Sequence, residues 1–144
     1  MLNLARRIIA RICQIRRSIS SKNSVAQDLY FLFRQDQKDR KRARAGKCSR
    51  QELLMADRAR RKKALVILRE KKGLTRNEYL YASVLFHHSG VSSLLRKAKT
   101  LAEKSLELGH PKASALLRAI EDRFLIVNGK PQRYGTQILR KQCH

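Results

Sequence analysis

Apolar side chains recur along the chain at spacings of three and four, the pattern of helices that bury one face. Leu4, Ile8, Ile12, Ile15 and Ile19 draw one stripe over residues 2 to 19, and Arg6, Arg7, Arg11, Arg16 and Arg17 fill much of the rest. A polar break at 20–23 follows. Ser24 with Gln27 then has capping-box spacing, in which hydroxyl and amide each satisfy a backbone donor orphaned at a helix start. The next helix carries Val25, Leu29, Leu32, Phe33 and Asp36 near one side, runs into the basic stretch 38–47, and meets a stop at Gly46. Ser49 with Glu52 and Thr75 with Glu78 open two further helices, which end at Gly73 and Gly90. Ser92 caps a fifth, ending at Gly109. Pro111 begins a sixth, because the N–H it lacks is unpaired at a first helical position anyway. That helix ends near Asn128 and Gly129. No stretch alternates as a half-buried strand does, so the pattern predicts an all-α fold of about six helices.

Residues 130–137 hold Pro131 and Gly135 and read as an ordered, turn-rich loop. The last two helices, joined by Leu108-Gly109-His110-Pro111, resemble the hairpin of tetratricopeptide and Sel1-like repeats. Ala98, Ala102, Ala113 and Ala119 supply the small residues of a close crossing, although no period repeats three times. The chain thus divides into a basic amphipathic segment at 1–22 (arm, anchor or targeting segment), one helical domain at 24–138, and a tail at 139–144.

Composition changes the picture through charge. The 144 residues contain 34 Lys and Arg against 11 Asp and Glu, a net of +23. Residues 1–74 alone hold 22 basic and 6 acidic side chains, a net of +16. Such a field argues for an anionic partner and against a free-standing enzyme with a neutral surface. The three cysteines, Cys13, Cys48 and Cys143, form no disulfide framework, which favours a reducing compartment. Neither zinc spacing nor a Gly-rich phosphate loop is present, and no cofactor is implied. The expected setting is intracellular, cytoplasmic first. It is mitochondrial if residues 1–22 act as a targeting helix, and an anionic membrane surface is a further partner for residues 2–19.

Four polar motifs remain: Asp36-Gln37-Lys38-Asp39-Arg40, Phe86-His87-His88-Ser89, Asp122-Arg123, and Gln132-Arg133-Tyr134-Gly135-Thr136-Gln137. Together, over about residues 28–138, they resemble an uncharacterised family of small, mainly bacterial helical domains. That family carries Asp-Gln-x-x-Arg, Phe-Gln-His-Gly, Asp-Arg and Gln-x-Tyr-Gly-Thr-Gln. The resemblance implies order among the motifs but no reaction. The chain departs from it at His87 and Ser89, where the family has glutamine and glycine.

Helical geometry sorts these residues further. Asp36 and Arg40 stand four apart and can pair. Asp122 and Arg123 diverge by about 100° and must find separate partners. Adjacent His87 and His88 make a poor chelate. Asp36, Arg40, His88, Asp122, Gln132 and Gln137 could line a pocket, with Gln37, Arg123, Tyr134 and Thr136 beside it. His88 would be its proton carrier, and Asp36 and Asp122 the further catalytic candidates. The alternative is a buried network that locks the loop onto the helices, with Gln132 and Gln137 turned toward Asp36 and Arg40 and the Tyr134 ring against the helices.

The basic runs, Lys38, Arg40, Lys41, Arg42, Arg44 and Lys47 with Arg58, Arg60, Arg61, Lys62 and Lys63, are not balanced by acids one turn away. Phosphate contacts would relieve their mutual repulsion. With no Trp and few aromatics among these runs, phosphate-led binding of nucleic acid, RNA favoured, is the first functional reading. A small-ligand or enzyme-like domain built on the polar motifs is the second.

Overall fold

The structure, a computed structural model, describes residues 29–138. Among the described residues there are five helices and no strand: α1 (29–44), α2 (Arg50–Glu70), α3 (Arg76–His87), α4 (Ser92–Glu107) and α5 (Ala113–Val127). These match the second to sixth of the helices the pattern predicts. The stripe over residues 2–19, the Ser24–Gln27 capping box and the tail at 139–144 lie outside the described residues.

Both remaining capping boxes form. Ser49 Oγ accepts from Glu52 N at 3.1 Å while Ser49 N donates to the Glu52 carboxylate at 2.7 Å. Thr75 and Glu78 do the same at 3.2 and 2.8 Å. The other Glu78 oxygen accepts from Lys71 Nζ at 2.6 Å, so one carboxylate ties the end of α2 to the start of α3. Two starts differ from expectation. Val91, not Ser92, holds the cap position of α4, and Ser89 Oγ braces the turn by accepting from Val91 N at 3.0 Å. Helix α5 begins at Ala113 rather than Pro111; residues 111–112 form a turn in which Ala113 N donates to His110 O at 3.2 Å and Lys112 N to His110 Nδ1 at 3.1 Å. Gly109, with φ +78°, ends α4 in the left-handed region. There His110 N reaches back to Ser105 O at 3.0 Å and closes the last turn.

The core draws on all five helices through Leu29, Leu32, Ala64, Ile67, Leu85, Phe86, Leu101 and Ile120. Helices α3 and α4 pack along each other most extensively, and α5 lies against α4. Fully buried Ala82, Ala98 and Ala102 allow the close approach. Ser83 Oγ donates to Ala98 O at 2.7 Å and Ser105 Oγ to Arg76 O at 2.8 Å, pinning α3 to α4 at two heights. Helix α1 reaches α3 through Phe33 stacked on Tyr81, ring centroids 4.8 Å apart.

Among the described residues Phe86 is the largest fully buried side chain, and it directly precedes the two histidines. Truncation to alanine should therefore cost about 3–5 kcal/mol, from lost transfer energy plus the cavity left behind. Denaturant melts of Phe86→Ala against the parent check this; a loss below about 1 kcal/mol would remove Phe86 from the core.

Candidate functional site

The polar motifs form two clusters. The first lies between α1 and α2 and is built on three aspartates and two arginines. Arg40 Nη2 reaches Asp57 Oδ2 at 2.5 Å and Asp36 Oδ1 at 3.3 Å. Arg60 donates to Asp57 Oδ1 at 2.7 Å and to Asp39 Oδ2 at 2.6 Å. Local register makes this possible. Asp36 and Arg40 are four apart on α1, and Asp57 and Arg60 three apart on α2, so each helix offers an acid and a base on the side facing the other. Asp36 also accepts from Gln37 Nε2 at 2.9 Å, and His88 Nε2, at the end of α3, lies 3.3 Å from Asp36 Oδ2. Asp36 and Asp57 are almost wholly buried.

Burial alone would raise the Asp36 pKa, but the His88 contact and the Arg40 and Arg60 charges outweigh it and hold the carboxyl below its usual range. Burial likewise works against the charge on Arg60, and its hydrogen bonds to Asp57 and Asp39 overcome this. Buried His87, its ring centroid 5.2 Å from that of His88, is pushed down to about 3 by burial and then by the His88, Arg123 and Arg40 charges. It is a neutral imidazole at physiological pH.

The second cluster locks the C-terminal loop to α5. Asp122, with no exposed surface, accepts from Arg133 N at 2.7 Å, Tyr134 N at 2.9 Å, Thr136 N at 2.8 Å and Thr136 Oγ1 at 2.7 Å. Burial opposes the charge, yet these donors bring the Asp122 pKa down to about 2. Gly135, at φ +68°, makes the turn that aims them at one carboxylate. Gln132 and Gln137 close the loop on itself: Gln137 N donates to Gln132 Oε1 at 2.8 Å and Gln132 Nε2 to Gln137 O at 2.9 Å. Gln137 Nε2 then donates to Ala119 O at 3.1 Å, and its Oε1 accepts from Arg123 Nε at 3.2 Å.

The sequence-derived pocket is thus brought together only in part. Asp36, Gln37, Arg40 and His88 meet. Asp122, Gln132, Thr136 and Gln137 form the separate loop lock, and their hydrogen bonds run to the loop and α5, not to Asp36 or Arg40. Asp122 cannot orient His88, because its oxygens are filled by the loop. The Tyr134 ring is half-exposed rather than packed on the helices. Arg123 stands between the clusters, bonded to Gln137 and within the fields of Arg40 and Asp57. Arg40 and Arg60, grouped by sequence with the phosphate-binding run, instead face inward and are neutralised by aspartates.

Asp57 is the site residue that the sequence reading missed. It is the only acid between Glu52 and Glu70, inside the most basic helix of the chain, and that isolation is the signal that could have found it. Among the described residues no group of three His, Cys, Asp or Glu side chains could hold a metal ion, and no helix is long and apolar enough to cross a membrane. No family model, curated protein or solved structure matches the chain.

Two outcomes test this geometry. Asp57→Ala leaves the buried Arg60 and the partly buried Arg40 guanidinium groups without their shared carboxylate, and should destabilise the fold by about 3–5 kcal/mol, measured by denaturant melts. Asp122 has a depressed folded pKa, so the loop lock is at full strength above the ordinary carboxylate value near 4. It should weaken as pH falls from there through about 2. Hydrogen exchange of the Arg133, Tyr134 and Thr136 amides should rise across that window relative to amides of α4, and a flat profile would refute the assignment.

Proposed function

We propose that this protein binds nucleic acid, RNA by preference, through phosphate contacts made by the solvent-facing sides of α1 and α2, in the manner of a ribonucleoprotein component. One observation carries the reading. With Arg40 and Arg60 neutralised inside, Lys38, Lys41, Arg42, Arg44, Lys47, Arg58, Lys62 and Lys63 still stand exposed on the same hairpin. The acids there are few: exposed Glu52 is engaged in its own helix cap, exposed Glu70 stands at the far end of α2, and half-buried Asp39 serves Arg60 and, at 3.6 Å, Arg42. A surface of this kind gains from phosphate through charge neutralisation and counterion release, and needs no base-edge readout. The exposed aromatics Tyr30 and Phe31 at the start of α1 add faces on which unpaired bases can stack, which favours single-stranded RNA over duplex.

Neutralising roughly six phosphates should reduce affinity by about 10³ between about 50 and 200 mM salt. Fluorescence anisotropy with a labelled single-stranded RNA reads this. Replacing Lys62 and Lys63 together with glutamine should weaken binding and flatten the salt slope by about two. A salt-independent affinity, or a double variant that binds like the parent, would defeat the reading.

A further inference from the structure

A second basic surface, away from the α1–α2 face, is concave. A cavity of about 440 Å³ opens where the end of α2, the α2–α3 turn, α3 and α4 meet, and its walls hold four lysines and no acid. Lys71 and Lys72 come from the turn, Lys97 and Lys104 from α4. Lys97, Leu101 and Lys104 recur at spacings of four and three, so the period of the helix sets both lysines and the leucine between them on one face. Buried Leu74 and Leu101, with the half-buried Leu68 and Tyr79 side chains, supply the apolar part of the wall.

A carboxylate answers Lys71: its Nζ donates to Glu78 Oε1 at 2.6 Å, and the other Glu78 oxygen accepts from Thr75 N. Lys72, Lys97 and Lys104 form no ion pair among the described residues. Two of them lie over aromatic faces instead. Lys104 Nζ is 5.7 Å from the centroid of the Tyr79 ring, and Lys97 Nζ 5.9 Å from that of Phe86. A cleft lined by one sign of charge, with apolar walls, focuses its field on whatever enters. Three ammonium groups call for more charge than one carboxylate carries. A chain of phosphates carries it and turns acceptor oxygens to several sides, which suits the compact, freely rotating donor of lysine. The leucines suit an organic body attached to those phosphates, and Tyr79 adds an aromatic ring against which a flat base packs. The volume lies within the range of about 300–1,000 Å³ usual for small-molecule sites.

We propose that this cavity binds a nucleoside diphosphate or triphosphate, with the phosphates on Lys72, Lys97 and Lys104 and the nucleoside against Tyr79 and the leucines. Lys71 stands apart from the other lysines, because Glu78 holds it to the joint between α2 and α3. The site shares no residue with the exposed face of Lys38 to Lys63 and does not depend on it.

The experiment titrates the full chain with ADP by calorimetry and follows the backbone amides by NMR. The parent should bind ADP saturably, with the largest amide shifts at residues 71–74, 79 and 97–104. Adenosine lacks the phosphates and should not bind measurably. Inorganic diphosphate lacks the organic body and should bind about tenfold more weakly. Lys97→Gln and Lys104→Gln should each weaken ADP by about tenfold, because each removes a charged donor to phosphate. Neither should lower the Tm, since both side chains are exposed and hold no ion pair among the described residues. Replacing Lys62 and Lys63 together with glutamine should weaken RNA and leave ADP unchanged, whereas Lys97→Gln combined with Lys104→Gln should lose ADP and keep RNA. That crossed pair separates failure of the cavity from failure of the nucleic-acid face. Absence of ADP binding, shifts centred on α1 and the start of α2, inorganic diphosphate bound as tightly as ADP, or α4 glutamine variants that bind like the parent would each overturn the proposal.

Discussion

Two arginines from facing helices share the carboxylate of Asp57, and the placement of α1 against α2 depends on that sharing. Arg40 comes from α1 and Arg60 from α2 itself, and each takes one oxygen of Asp57. Asp39 on α1 completes the lattice by accepting from Arg60. A slip of one helical turn would set arginine against arginine in a region with little water to screen them. The cluster is not a cheap source of stability, since burying ions costs about several kcal/mol for each before their attraction is counted. Its effect is to make one register far better than its neighbours. In a chain of net charge +23, few acids are available for the purpose, and three of the eleven stand here.

The apolar core lies beyond this ionic layer and follows ordinary packing rules. Small residues at the α3–α4 contact bring the helices close, and buried serines return hydrogen bonds to backbone carbonyls of the neighbouring helix or its start. His88 joins the two layers, because the helix that carries Phe86 into the core ends by setting an imidazole beside Asp36. A change in the core under Phe86 therefore reaches the ion cluster within two residues.

The two polar clusters differ in what they leave unfinished. At the loop, Asp122 is answered by donors whose geometry is fixed by one turn, and nothing remains to recruit a ligand. At the arginine cluster Arg40 Nε and Arg60 Nε are shielded from solvent without a hydrogen-bond partner among the described residues. A closed network of the first kind, with every member answered, fastens structure.

The all-helical class, the two capping boxes and the Asp36–Arg40 pair were legible in the sequence, because each depends on residues three or four apart and on the fixed period of the helix. Gly135 was legible too, since a turn of that kind needs a residue free of a Cβ. What tertiary structure alone decided was how distant segments share partners. Sequence put Asp122 and Asp36 in one pocket and Arg40 and Arg60 on one basic surface. The folded chain gives Asp122 to the loop and turns Arg40 and Arg60 inward onto Asp57. A side chain's charge is written in the sequence, but which opposite charge it meets depends on the angle and register at which helices cross, and those are set by the whole core at once.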